Sequence, residues 1–426
     1  MPQLNRKQII ILGAIGLAVI IVLLILIGIL PGRRSGSEVS LELWGIDDKD
    51  AWKSVINNFE QLYPEVSVNY TEVTPGSYEE ELLNALAAGR GPDVFMFKST
   101  WLLKHRNKIY PAQTSKISPE TVSSLFPQVV EDDFIADNRV YALPLSVDTL
   151  AIVYNRDIFD GRGLALPPKT WSEFEAAVSK LRTFTGGNLI SSGASLGASS
   201  GTVPNAPDIL SLLLLERDIL TIDVDSDRVD LTSQTAEEAL RFYLKFADPE
   251  SSVYAWNNSF GNSIEALASE KTAMVFAYSD EIPEIRERNP QIDLGISAAP
   301  QFNLSNSVNY AKYWGLAVSA TSVQTTREAA WDFVIFATTD GASATSYAST
   351  TRRPPALRFL INQISGDSEL GVFAAQALTA KSWRQPDEGL VRIIFDKMIR
   401  DASSGELELG LALERAEVEI NALLRK

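Results

Sequence analysis

Residues 39–97, VSLELWGIDDKDAWKSVINNFEQLYPEVSVNYTEVTPGSYEEELLNALAAGRGPDVFMF, alternate between two hydrophobic periods. From position 39 to 43 apolar residues recur at every second position, as in a strand with one buried face. From 52 to 62 they recur at every third or fourth position, as in a helix. The order repeats with a strand at 66–70 and a helix after it, and the run 93–97, which is apolar after Asp93, then predicts a buried strand. This alternation predicts an α/β fold.

The rest of the chain predicts a second α/β unit. The chain has 426 residues, which is more than one ordinary domain holds and enough for two cores. Strands are predicted at 150–154 and 272–276, with helices between them. The Gly- and Ser-rich segment 186–202 is either an interdomain linker or an ordered loop of the second unit, and its apolar residues favour the loop.

The segment Ile9–Leu30 contains no charged side chain, and 22 residues at about 1.5 Å each span a hydrocarbon core about 30 Å thick. It predicts a transmembrane helix, so residues 1–37 form an anchor and tether. A cleaved signal peptide is the alternative, but no small-residue cleavage site follows the span. The chain has no cysteine, which excludes a lipid-modified cysteine as the anchor.

The basic residues around this span weakly favour a single-pass protein with a cytoplasmic N-terminus and a large domain outside the cell membrane. Residues 38–426 carry 34 basic and 54 acidic side chains, a net charge of −20. Such a surface repels polyanions, so neither nucleic acid nor an anionic membrane surface is an expected partner.

Few catalytic arrangements remain open to this composition. His105 is the only histidine, and it lies in a basic run where a solvated helix residue is expected. With no cysteine, the Ser–His–Asp and Cys–His systems have no other base, and histidine or thiolate metal sites are excluded. Neither nucleotide-binding glycine motif occurs. A glycoside hydrolase using two carboxylates stays possible, although no spacing singles out such a pair.

Aromatic residues are the remaining candidates for ligand contact. They lie at the ends of predicted strands and in loops: Trp44, Trp101, Trp256, Tyr278 and Trp314. Rings with an apolar face and a polar edge suit sugars. For each ring taken singly, packing in a core is at least as good an explanation.

Several short motifs occur in a fixed order along residues 39–424. The most specific is Tyr141-Ala142-Leu143-Pro144 followed by Val153-Tyr154-Asn155-Arg156-Asp157-Ile158-Phe159. Others are Gly91-Pro92-Asp93-Val94-Phe95 and Trp314-Gly315-Leu316-Ala317-Val318. With these motifs the chain resembles the family 1 extracellular solute-binding proteins, the maltose-binding-protein-like group. The resemblance implies a type II binding-protein fold, in which a hinge joins two α/β lobes. We expect residues 38–147 and 281–338 in lobe I, and 148–280 and 339–426 in lobe II.

The resemblance also implies a function and a site. Members capture a solute, mostly a mono- or oligosaccharide, in the cleft and deliver it to ABC permease subunits, with no cofactor or metal. By motif position the ligand contacts fall on Trp44, Asp47, Ser99, Trp101 and Asp148, and with weaker support on Tyr278, Trp314 and Arg353. Trp256 is added from its loop position alone. Asp148 is expected to accept hydrogen bonds from ligand hydroxyls, although capping a turn or pairing with an arginine remains open.

We therefore predict a monomeric, membrane-anchored receptor that is not an enzyme. Two other classes stay open, which are a membrane-anchored ligand sensor and a surface glycan hydrolase. A sensor needs a sizeable cytoplasmic module, and a hydrolase needs a fixed acidic pair in one cleft.

Overall fold

The computed structural model describes residues 39–220 and 228–425. The predicted transmembrane segment Ile9–Leu30 lies outside these residues. Among the helices of the two described ranges, none has both the length and the apolar content needed to cross a bilayer.

The described residues form fourteen strands. They are β1 (Val39–Gly45), β2 (Val66–Glu72), β3 (Val94–Lys98), β4 (Ile135–Ala136), β5 (Arg139–Val140), β6 (Ala142–Pro144), β7 (Ala151–Asn155), β8 (Thr183–Thr185), β9 (Asn188–Ser191), β10 (Met274–Ala277), β11 (Leu294–Ala298), β12 (Asn309–Tyr310), β13 (Trp314–Val318) and β14 (Ala380–Lys381).

The same ranges contain seventeen α-helices. They are α1 (Lys49–Leu62), α2 (Tyr78–Ala87), α3 (Leu102–His105), α4 (Pro119–Leu125), α5 (Gln128–Phe134), α6 (Arg156–Gly161), α7 (Trp171–Leu181), α8 (Ala206–Leu215), α9 (Gln234–Leu244), α10 (Ser263–Ala268), α11 (Ile282–Arg288), α12 (Gln324–Thr339), α13 (Gly341–Thr351), α14 (Arg358–Gln363), α15 (Leu370–Ala377), α16 (Glu388–Ser403) and α17 (Leu409–Leu424).

The first lobe is built on a five-stranded sheet in the order β2-β1-β3-β13-β6. Strand β1 pairs in parallel with β2 and β3, while β13 runs antiparallel between β3 and β6. Helices α1 and α12 pack against this sheet, α13 packs on both of them, and together they bury side chains such as Trp52, Phe59 and Phe333. The alternating pattern at 39–97 therefore forms the predicted α/β arrangement.

The second lobe is built on a three-stranded sheet in the order β10-β7-β11, with both outer strands antiparallel to β7. Its core includes Trp171, Leu212, Tyr243 and Phe395, which come from α7, α8, α9 and α16. The Gly- and Ser-rich segment 186–202 belongs to this lobe, because β9 pairs with β8 and Leu196 is buried in the same core. The segment is an ordered loop and hairpin, as favoured above.

Three crossings of the chain join the lobes and lie side by side, at 147–150, 309–313 and 379–383. The Leu150 N–H donates to the Tyr310 carbonyl at 2.9 Å, and the Ala311 N–H donates to the Lys381 carbonyl at 3.0 Å. Strands β12 and β14 pair in parallel within two of these crossings. The lobes are thus connected by one narrow hydrogen-bonded band.

The structure divides the chain between the lobes differently from the expected boundaries. Strand β11, expected in lobe I with the rest of 281–338, pairs along its whole length with β7 of the second lobe. A Cβ atom on Gly295 would lie 2.2 Å from Cζ of Tyr154, so this pairing needs a glycine there. Helix α13, expected in lobe II, packs on α1, and Tyr347 is buried in the first core. Both assignments depend on distant partners, which a local pattern does not reveal.

Candidate functional site

One edge of the first-lobe sheet collects several predicted site residues. Strands β1 and β3 are parallel and β13 is antiparallel to them, so the ends of β1 and β3 meet the start of β13. In this register Trp314 lies opposite Lys98. The segment that leaves β6 at Pro144 begins the first crossing at the same edge. The first-lobe candidates therefore surround the place where the chain crosses to the second lobe.

The second-lobe sheet presents its own edge to this band. Ala151 at the start of β7 lies opposite Ala277 at the end of β10 and Ala298 at the end of β11. The segments entering β7 and leaving β10 consequently meet. Asp148 accepts hydrogen bonds from the backbone N–H of Ser279 at 3.0 Å and from its hydroxyl at 2.7 Å. The two sheet edges are thereby linked at the crossings.

Three of the predicted aromatic residues form one group in the first lobe. The ring centroids of Trp101 and Trp314 are 5.3 Å apart, and those of Tyr78 and Trp314 are 5.8 Å apart, both nearly perpendicular. Tyr78 also donates from its hydroxyl to the Trp44 carbonyl at 3.2 Å. Trp101 is buried among the other rings, whereas Trp44 and Trp314 are half-buried. Trp44 and Trp314 thus keep part of their side chains accessible, while Trp101 supports them.

Asp47 and Arg353 come together, as two members of one buried network. Arg353 Nη1 lies 2.6 Å from Asp47 Oδ1, and the Tyr347 hydroxyl donates to Asp47 Oδ2 at 2.5 Å. The next residue, Asp48, accepts a hydrogen bond from the Asp50 N–H at 2.8 Å and caps α1. The Asp47 carboxylate is therefore engaged with first-lobe side chains.

Asp148 and Ser99 are also engaged by the protein itself. In addition to the bonds from Ser279, the Asp148 carboxylate accepts a hydrogen bond from the backbone N–H of Thr149 at 2.8 Å. Burial, and then the charge of Asp280, raise the pKa of the Asp148 carboxyl to about 7. Ser99 donates from its N–H to the Tyr313 carbonyl at 2.9 Å and its hydroxyl accepts from the Tyr313 N–H at 3.4 Å. Ser99 thus connects the second crossing to the first lobe, and Asp148 connects the first crossing to the second lobe. For Asp148 this agrees with the alternative in which its carboxylate caps a turn.

Trp256 is a correction to the sequence-based site. Its ring is fully buried in the second-lobe core, where it stacks on Phe260 with centroids 5.1 Å apart. Its indole N–H donates to the Thr202 hydroxyl at 3.1 Å. No face of the ring is accessible to a ligand, so the loop position of Trp256 reflects core packing.

His105 also differs from expectation, because it is buried and not solvated. Its Nε2 lies 2.7 Å from Glu79 Oε1. The hydrogen bond from His105 is the largest of the effects that hold the pKa of Glu79 at about 2. His105 therefore has a structural partner on α2.

A buried ionic cluster beside the crossings was missed from the sequence, except for Tyr278. Asp208 on α8 lies 2.9 Å from Lys312 Nζ and 2.6 Å from Arg392 Nη1, and it accepts from the Tyr278 hydroxyl at 3.1 Å. Burial alone would raise the pKa of Asp208, but the charges of Lys312 and Arg392 outweigh burial and hold it at about 2. The cluster joins the second crossing to α8 and α16.

Contacts across the cleft involve further residues that the sequence did not single out. Lys98, at the end of β3, lies 2.7 Å from Glu388 on α16, and its Nζ is 5.7 Å from the ring centroid of Trp314. Glu388 and Arg392 are four residues apart and share one face of α16. In the sequence, the only sign of this contact was the spacing of Glu388 and Arg392 on a predicted helix. Charged pairs with this spacing are common on exposed helices, so the spacing did not indicate a site.

Four carboxyl groups, of which Asp133 and Asp148 are buried and Glu216 and Glu281 are partly buried, predict an unusual dependence of stability on pH. Burial is the largest cause that raises the pKa of Asp133, Asp148, Glu216 and Glu281, each to about 7. In the unfolded chain these groups titrate near pH 4. The folded protein therefore takes up protons between pH 8 and 5, and the free energy of unfolding should be higher at pH 5 than at pH 8, by on the order of 1–3 kcal/mol for each group.

Chemical denaturation at a series of pH values measures this effect. Glu281→Gln is a matched variant, because Asn205 and the Tyr278 N–H both donate to the same oxygen of Glu281, at 2.8 Å, and an amide oxygen replaces it. In the variant, the free energy of unfolding should change less between pH 5 and pH 8 than in the parent, and it should be nearly unchanged at pH 5. Stability that rises steadily from pH 5 to pH 8 would contradict the prediction.

Comparison with known proteins identifies a family match. Residues 45–344 match the family model described as bacterial extracellular solute-binding protein. A multiple sugar-binding protein of Streptococcus mutans serotype c is 23% identical over 305 residues, which cover 69% of each chain. A putative binding protein of Brucella abortus is 23% identical over 137 residues, 32% of this chain and 33% of that protein. The chain thus aligns with only about a third of the length of that relative.

Solved structures share the fold over nearly the whole chain. The crystal structure of a cyclic alpha-maltosyl-1,6-maltose binding protein from Arthrobacter globiformis superposes with a TM-score of 0.76. It covers 91% of this chain and 99% of the other, with 18% sequence identity. At this identity the likeness establishes the two-lobed architecture alone.

Proposed function

The chain belongs to the family of bacterial extracellular solute-binding proteins, and we propose that it captures a mono- or oligosaccharide between its lobes for delivery to an ABC importer. The ligand site lies at the facing sheet edges, beside the three crossings. Rotation of the lobes about this hydrogen-bonded band opens and closes the site.

One observation carries the choice of ligand class. Trp314 is half-buried on the first lobe, and Lys98 links its ring to Glu388 of the second lobe. An apolar ring and a cationic side chain of the first lobe thus lie beside an ionised side chain of the second lobe. Sugars present both apolar faces and hydroxyl groups, and sites that bind them combine aromatic surface with a few oriented polar groups. The multiple sugar-binding protein of Streptococcus mutans and the cyclic alpha-maltosyl-1,6-maltose binding protein of Arthrobacter globiformis support the same class.

The remaining parts of the proposal concern chemistry and attachment. We infer that the ligand leaves unchanged, because the half-buried side chains proposed to contact it, Trp44 and Trp314, carry neither a nucleophile nor a titratable base. The predicted span Ile9–Leu30 anchors the chain in the cell membrane, with the two lobes on the extracytoplasmic face. The protein acts as a monomer.

A carbohydrate screen tests the proposed function. Residues 38–426 are heated with each member of a solute panel that also contains peptides and polyols, because a ligand of the folded state raises the apparent melting temperature. Calorimetry then gives the affinity, and chromatography of the recovered ligand checks its integrity. Stabilisation by peptides alone would exclude the sugar class, and sustained release of shorter products would make the protein a hydrolase.

The half-buried aromatic side chains should contribute directly to ligand affinity. Trp44→Ala and Trp314→Ala are each expected to weaken binding of the identified sugar about tenfold, since removing one stacked ring costs on the order of 1.4 kcal/mol. Trp101→Ala should instead destabilise the first lobe, because this ring is buried. Phe184→Ala is the control, as its ring is exposed on the β8–β9 hairpin. Unchanged affinity in both Trp44 and Trp314 variants would move the site elsewhere.

A further inference from the structure

The first turn of α16 is attached to both lobes. The helix buries Val391, Ile394 and Phe395 in the second-lobe core and packs against α17 and α8. It therefore moves with the second lobe. The side chains of its N-cap residue Asp387 and its first residue Glu388, however, form ion pairs with lysines of the first lobe.

Three contacts cross from the first lobe to this turn. Lys98 at the end of β3 lies 2.7 Å from Glu388 Oε2, and the Thr100 hydroxyl donates to the same oxygen at 3.0 Å. Lys104 on α3 lies 2.7 Å from Asp387 Oδ2. Lys104 is itself held by Glu79 of α2 at 2.6 Å. The cationic side chains are thus positioned by first-lobe elements.

These contacts differ from those made by the third crossing and by the residue directly after it. Ser382 donates to Asp133, and Arg384 donates to the Asp132 and Ile135 carbonyls, so the start of this connection lies on α5 of the first lobe. A rotation about the crossings leaves those bonds in place. The bonds of Asp387 and Glu388 lie beyond the crossing, and such a rotation separates them.

We propose that Lys98, Thr100 and Lys104 form with Asp387 and Glu388 an interlobe latch, which holds the lobes together through the protein's own side chains and limits how often the site opens. The inference rests on the proposed function, because it concerns regulation of the same site. Lys98 also lies over the Trp314 ring, so the latch controls access to the aromatic surface proposed for the ligand.

The strength of the latch follows from its exposure and charge. The side chains of Lys98 and Glu388 are 20% and 11% exposed, so water screens this pair less than a fully exposed one. Even exposed pairs change an equilibrium up to about fivefold each. Two pairs together should shift the ratio of open to closed molecules about two- to thirtyfold. High salt should weaken the latch, because the Debye length falls to about 3 Å at 1 M.

Distance measurements on the full chain test the latch without any ligand. Since the chain has no cysteine, Gln61→Cys and Glu414→Cys place one spin label on an exposed helix position of each lobe. The test variant is Asp387→Asn with Glu388→Gln, in which Asn still caps α16. We expect it to gain a population at longer distance, and 1 M salt should shift the parent in the same direction but change the variant little.

Glu237→Gln is the control, because its exposed pair with Arg241 lies within α9 and crosses no interface. Lys98→Met repeats the test from the first lobe if the double variant unfolds, as judged by circular dichroism. Identical distance distributions in the parent and both latch variants would overturn the proposal. If the latch variants open as expected but the protein binds no carbohydrate in the screen, the latch stands and only the proposed ligand class is rejected.

Discussion

Replacing Asp208 by asparagine should lower the free energy of unfolding by about 3–5 kcal/mol, the typical cost of leaving a buried charge without its partner. Asp208 is 4% exposed, and its carboxylate accepts hydrogen bonds from Lys312, Arg392 and the Tyr278 hydroxyl. An amide cannot neutralise either cation. Both cations would then lose the carboxylate that lies closest to them beside the crossings, and the second lobe should unfold first.

Urea denaturation followed by tryptophan fluorescence and circular dichroism measures this loss. The matched control is Glu284→Gln, which removes a carboxylate from an exposed pair with Arg288 and should cost less than about 1 kcal/mol. The low pKa of Asp208 adds a second signature. The contribution of ionised Asp208 to the free energy of unfolding is present above pH 4 and is lost as the pH falls towards 2. Parent and variant should therefore have similar stability in strong acid. A loss below about 1 kcal/mol at pH 7 would show that the cluster is dispensable.

The local elements of the first lobe were predictable because each carries its own period. The run 39–43 becomes β1, and the helical pattern from Trp52 to Leu62 becomes most of α1, which the structure begins at Lys49. The division into lobes was not predictable in the same way. Strand β11 pairs with β7 roughly 140 positions earlier in the chain, and neither segment contains a local sign of its partner.

The candidate site was predictable only in part, for a related reason. Motif position brought Trp44, Trp101 and Trp314 to one edge, but the accessible area of each ring depends on neighbours such as Tyr78. The ionic cluster was missed because its members are about 80 to 180 residues apart in sequence. Charged residues are abundant in this chain, so the sequence alone does not distinguish Asp208, Lys312 and Arg392 from the others. Only the fold brings these three together.

Truncating Trp256 should destabilise the protein about as strongly as the loss of Asp208. The ring is fully buried against Phe260, and Trp256→Ala removes a large core side chain, which typically costs about 3–5 kcal/mol. It also leaves the Thr202 hydroxyl without the indole N–H. Trp256→Phe should cost less, because a ring still fills most of the volume.

The two roles considered for Trp256 give opposite results in binding experiments. As a core residue, its truncation lowers the melting temperature, but the molecules that stay folded at low temperature keep the parent affinity for the identified sugar. As a ligand contact, its truncation would lower affinity with little loss of stability. Calorimetry at low temperature, with the folded fraction taken from circular dichroism, separates these cases, and Trp314→Ala provides the comparison. We expect Trp256→Ala to lose stability and keep affinity, since ring faces that are packed against Phe260 and the second-lobe core offer a sugar no surface.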